Sequence, residues 1–139
     1  MMQRIYRVAL ALTGFAVMGG RTAKAQTAEH PVPTTYWTEV ALGPNTCDNV
    51  TIKPGPTEIV LLPGDSLSVT HAGQTYRGSV TREGSFTTAP RELAFGTTVY
   101  TIGITGRIHE KELTAVVTVG VREQGAAGCS YSVNWTGRK

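Results

Sequence analysis

Several things are scarce in this sequence, and each scarcity closes a class of function. Only two cysteines occur in 139 residues, Cys47 and Cys129. They form no C-x-x-C, and one distant pair supplies too few thiolates for a zinc site or a dithiol redox centre. The three histidines, His30, His71 and His109, fall in different segments with no H-x-H or H-x-x-x-H spacing, so they read as structural or solvated side chains rather than metal ligands. Beyond the first 25 residues no apolar run approaches the roughly 20 needed to span a bilayer. No window of helical length shows apolar residues at i, i+3, i+4 and i+7, which excludes a helical domain.

What is present begins with a leader. Arg4 and Arg7 precede an apolar run over residues 8–18, and Ala23-Lys24-Ala25 ends it, the pattern of a signal peptide cleaved after Ala25. Cleavage removes Arg4, Arg7, Arg21 and Lys24 and no acidic residue. The 13 basic residues become nine against 10 acidic ones, so the net charge of +3 belongs to the precursor and the mature chain sits near −1. A basic pI is therefore no argument for nucleic acid or anionic lipid as partner. The short leader is of bacterial type, and the expected location is the periplasm or the medium. In such a compartment an even pair of cysteines forms a disulfide, Cys47–Cys129. Asn49-Val50-Thr51 and Asn134-Trp135-Thr136 match the glycosylation sequon, and are read as accidental in a bacterial chain.

After a Pro-containing lead-in over residues 26–34, residues 35–139 repeat with a period of two. Leu113, Ala115, Val117, Val119 and Val121 alternate with Thr114, Val116, Thr118, Gly120 and Arg122; Tyr100, Ile102 and Ile104 alternate with Thr101, Gly103 and Thr105. Shorter strands are expected at 36–42, 49–53, 57–62, 66–71 and 74–81, separated by Pro- and Gly-containing turns. A charged connection is expected over 106–112, and the last strand carries Cys129, Tyr131, Val133 and Trp135 on one face. Gly103, Gly106 and Gly120 are read as bulges or bends of a curved sheet. The expected fold is all-β: a small antiparallel sandwich or closed barrel of seven to nine strands, its disulfide linking the region after the first strand to the last. Both tryptophans lie outside the cysteine pair, which argues against an immunoglobulin domain.

The disulfide also suggests that the first and last strands pair antiparallel. If Tyr36, Val40 and Leu42 face inward, opposed positions sum to an odd number, and a sum of 171 sets Tyr36 against Trp135 and Val40 against Tyr131.

One string looks catalytic. Gly64-Asp65-Ser66-Leu67 resembles the nucleophile block of the GDSL esterases and lipases. That resemblance implies a serine opening a helix in an α/β fold, with Asp and His supplied late in the chain. Here no Asp follows Asp65, and the string reads as a turn entering a strand. No nucleophile, base and charge stabiliser can be assembled from spacing, so no enzyme, cofactor or metal is expected.

The expected function is a binding or interaction module that presents loops to a protein or glycan. Residues 86–96, with Arg91, Leu93 and Phe95, are the candidate loop. The alternatives are an inhibitor of an extracellular hydrolase, or a carrier barrel of lipocalin-like architecture whose interior, lined by Tyr76, Tyr100, Tyr131 and Trp135, holds a small apolar ligand. Interior volume separates carrier from interaction module.

Overall fold

In a computed structural model of the chain, residues 31–139 are described. The leader and residues 26–30 of the lead-in, including His30, lie outside the described residues. Nine strands follow one another: β1 (Thr34–Asn45), β2 (Gly55–Leu62), β3 (Ser66–His71), β4 (Gln74–Val80), β5 (Ser85–Thr88), β6 (Arg91–Phe95), β7 (Thr98–His109), β8 (Glu112–Glu123) and β9 (Cys129–Arg138). Each pairs antiparallel with its neighbour in the order β5-β4-β3-β2-β1-β9-β8-β7-β6, and β5 also pairs with β7. That last pairing closes eight strands into a barrel, with β6 as an extra strand on β7. Closure of β1 onto β9 removes the two edges that the chain's ends would otherwise expose.

Alternation fills the barrel. Leu113, Ala115, Val117 and Val119 of β8 face in, with Thr114, Val116 and Thr118 between them facing out. One ring across the barrel shows how size is matched: Phe86 stands opposite Gly106, Gly106 opposite Ala115, Ala115 opposite Trp135 and Trp135 opposite Val40. Two large aromatics share a layer because the residues between them are small. A Cβ on Gly106 would lie 2.6 Å from Cβ of Ala115, too close for two carbons that do not share a bond. Gly78 has a similar role where the barrel closes, since a Cβ there would meet the backbone of Thr87 at 2.0 Å.

Three expectations about the strands are corrected. Residues 49–53 are not a strand, because Asn49 takes a left-handed conformation (φ 57°) that breaks any ladder. Strand β7 runs on to His109, so the charged connection shrinks to the turn at Glu110 and Lys111, with Glu110 left-handed at φ 56°. Residues 86–96 are not a loop: they form most of β5 and all of β6, and Phe86 is only 3% exposed. Phe86 pairs with Gly106 and Arg91 with Ile102, so the register slips by one residue and Ala89-Pro90 together stand opposite Gly103. This is a β-bulge built on a residue that has no N–H to give. The hydroxyl of Thr88 accepts the N–H of Ile104 (3.0 Å), a donor that the broken ladder would leave unpaired.

The disulfide joins Cys47 and Cys129 across a Cα–Cα distance of 5.2 Å. First and last strands pair antiparallel, but the register is corrected. Val40 stands opposite Trp135 and Leu42 opposite Val133, a sum of 175, and a bulge between Leu42 and Asn45 then brings Asn45 opposite Tyr131. The parity is as expected and the offset is four residues. Leu42 is 44% exposed, because β1 keeps β2 as a neighbour only as far as Thr38 and is paired on one side alone at Leu42.

Candidate functional site

At one end of the barrel lie the end of β1, the start of β2, the β3–β4 turn, and the start of β9. A cavity of about 390 Å3 opens there. Its apolar floor is set by Val40, Ile102, Ile104, Val117, Val119 and Val133, inward positions of β1, β7, β8 and β9. Tyr76, Tyr131, Trp135 and His71 supply the rings of its wall. Thr51, Ile52 and Lys53 reach it from the irregular 46–54 segment, and Ile52 packs against the core. That segment is held by more than the disulfide. Thr46 N–H donates to the Ser130 carbonyl (2.8 Å), Ser130 N–H donates to the Thr46 hydroxyl (2.9 Å), and the Asn45 side chain accepts the Cys47 N–H (2.7 Å).

The barrel wall parts beside the cavity. Below the bulge the last backbone bond between the two walls runs from Ala89 N–H to the Arg77 carbonyl (2.9 Å), and β6 then leaves β4. Arg91 bridges the gap by donating from its guanidinium to the Thr75 carbonyl, and its cation sits 5.9 Å from the centre of the Tyr76 ring. Burial pushes the Tyr76 phenol above its ordinary pKa; Arg91 pulls it back and Tyr131 adds to the rise. Tyr131 is likewise raised, chiefly by burial and then by Tyr100. Both therefore stay neutral hydroxyls at physiological pH.

His71 carries the most constrained polar group of the site. Its Nδ1 lies 2.8 Å from the hydroxyl of Thr57, which lies 2.8 Å from the hydroxyl of Thr38, and both threonines are fully buried. The imidazole packs on Trp135, with ring centres 4.5 Å apart. Its pKa is lowered by burial, with the Pro56 carbonyl opposing in part. The sign of the consequence is fixed. On acidification the unfolded chain takes up the proton first, near 6.5, so the native state loses stability from about neutrality downward until its own His71 is charged. Urea unfolding at pH 7.5 and pH 5 should show a larger loss for the native sequence than for His71→Phe, and equal losses would contradict a buried neutral imidazole.

Of the residues singled out by sequence, Leu93, Tyr131, Trp135 and Tyr76 line the cavity. Tyr100 is half-buried beside them, with Phe95 edge-on at 5.8 Å, and Phe95 itself is 60% exposed. Arg91 stands at the gap between β4 and β6. The two groups of candidates, one on residues 86–96 and one in the barrel interior, thus meet at one end of the molecule. His71, Ile52 and Gln74 also line the cavity and had no functional reading from sequence. For His71 the signal was available, since it continues the inward parity of Leu67 and Val69. Among the described residues, His, Cys, Asp and Glu form no group of three that could hold a metal ion. Comparison with protein-family models, with curated proteins and with solved structures found no match to this chain.

Proposed function

We propose that this protein is an exported, non-catalytic carrier that holds one small, largely apolar molecule in the open end of its barrel. One observation carries the reading: the interior is packed with side chains around Phe86 and Leu113 yet opens at this end into a cavity lined mainly by apolar core residues, among them Val40, Ile102, Val119, Tyr131 and Trp135. Small-molecule sites are concave and mostly apolar, with a few placed polar groups. The lining matches that description, with His71, Gln74 and the tyrosine hydroxyls as the polar minority. Export is supported by the leader pattern and by the disulfide, which persists in an oxidising compartment. The interaction-module reading is less favoured, because the long loop meant to present Arg91, Leu93 and Phe95 is instead built into the wall as β5 and β6.

The test is native mass spectrometry of the disulfide-bonded protein taken from the cells that make it, before and after denaturation. A small molecule should leave on denaturation, and Ile102→Phe, which fills the cavity floor, should retain much less of it. A bare chain mass in both proteins would end the carrier reading.

A further inference from the structure

We infer that the molecule held in the barrel is an amphipathic anion, an apolar body ending in one carboxylate, and that Lys53 at the mouth is the residue that receives the charged end. The inference rests on the carrier reading and adds to it the sign of the ligand's charge.

Charge around the cavity is one-sided. Among its lining residues only Lys53 carries a formal charge, and no Asp or Glu is present. The other titratable groups of the lining do not offset it: burial keeps His71 neutral by lowering its pKa, and keeps Tyr76 and Tyr131 neutral by raising theirs. Nor is a positive mouth the by-product of a basic protein, because the chain without its leader sits near −1. Carboxylates of the neighbouring segments face elsewhere. Glu92 of β6 pairs with Arg122 (3.7 Å), and Glu39 of β1 accepts the Trp37 indole N–H on the outer face. Glu58, next to the inward Thr57, borders a separate hollow outside the cavity, and Asp48 is exposed and lines neither.

Of the two cations at this end, Lys53 is the uncommitted one. The Arg91 guanidinium already donates to the Thr75 carbonyl and lies over the Tyr76 ring. Lys53 is exposed and forms no ion pair among the described residues. It borders both the cavity and the hollow outside it, so it stands on the rim, and its flexible stem lets the ammonium meet a headgroup without a fixed direction. Its place is set by the chain around it, where Cys47 is bonded to Cys129 and Ile52 packs on the core. An apolar body lying along Val40, Ile102 and Val119 leaves its head at that rim. There a carboxylate keeps much of its water and gains a counter-charge, while an ammonium meets a like charge.

Isothermal titration calorimetry at pH 7.5 with octanoate and with octylammonium isolates the sign of the charge, because the two have equal carbon counts and differ in the head. The disulfide-bonded protein should bind octanoate about five- to tenfold more tightly in dilute buffer, and added salt should shrink the ratio. Lys53→Glu, a change at an exposed position, should reverse the order. Equal affinities in the native protein would overturn the charge selection and leave the carrier reading standing. A preference for octanoate that survives in Lys53→Glu would overturn the assignment to Lys53. If neither compound binds the native protein, this inference falls, while native mass spectrometry still decides the carrier reading on its own.

Discussion

Replacing Cys47 and Cys129 together by serine should lower the folding free energy by about 2–4 kcal/mol and the midpoint of thermal unfolding by about 10–25 °C. The cysteines are 82 residues apart in sequence, so the bond denies the unfolded chain a large share of its freedom. It is also placed where the ladder is weakest. The bulge between Leu42 and Asn45 lies just before Cys47, and after it the chain leaves the sheet entirely until Gly55. The Thr46 and Ser130 hydrogen bonds remain in the double variant, but they end at residue 46 and leave Ile52 to hold its place by packing alone. Weaker retention of the carried molecule should therefore accompany the fall in stability. Circular dichroism melts of both proteins give the first quantity and native mass spectrometry the second. A midpoint shift of only a degree or two would mean that the disulfide restrains little that the barrel does not already fix.

Trp135→Ala should cost about 3–5 kcal/mol, the usual scale for deleting a large buried aromatic. Trp135 is 5% exposed, and its cross-strand neighbours Ala115 and Val40 are too small to move into the space it leaves. The loss would also free the His71 ring, which packs against the indole at a tilt of 39°. Trp37 provides the comparison within the same molecule. It is 53% exposed on the outer face of β1, its indole N–H donating to Glu39 (2.9 Å), and Trp37→Ala should change stability by no more than about 0.5 kcal/mol. Urea midpoints for the two variants measure the contrast directly. A cost below about 1 kcal/mol for Trp135→Ala would mean that the ring of Phe86, Gly106, Ala115, Trp135 and Val40 is not packed as described.

Why Trp135 faces Val40 rather than Tyr36 shows where sequence reasoning reached its limit. Parity was legible, because one apolar face per strand forces an odd sum across β1 and β9. The offset was not, since any odd sum keeps apolar residues inside. A clue lay in the cysteines. Their positions sum to 176, as do Asn45 and Tyr131, and the one-residue bulge between Leu42 and Asn45 turns that into the 175 of the main ladder. A disulfide between neighbouring strands fixes their stagger, but the bulge that shifts parity leaves no mark in composition. The β5–β6 break was hidden for a related reason. Thr87, Thr88, Ala89 and Pro90 show no alternation, and proline at a bulge reads the same as proline in a loop.

The sequence by itself determined the all-β class, most of the strands and the Cys47–Cys129 pairing, with several of the side chains that line the interior. These are local or pairwise properties: a period of two is carried by residues two apart, turns by the residues that make them, and the disulfide by the only two thiols in the chain. Tertiary structure alone decided that the sheet closes, through β5 on β7, and that β6 splays from β4 with Arg91 across the gap. It alone set His71 above the buried pair Thr57 and Thr38, and left a cavity where residues 46–54 meet the barrel. The physical reason is that alternation specifies which side chains face inward but not how much space they enclose. That volume depends on strand stagger, on small residues such as Gly78 and Gly106 that let backbones approach, and on bulges that add a residue to one strand alone.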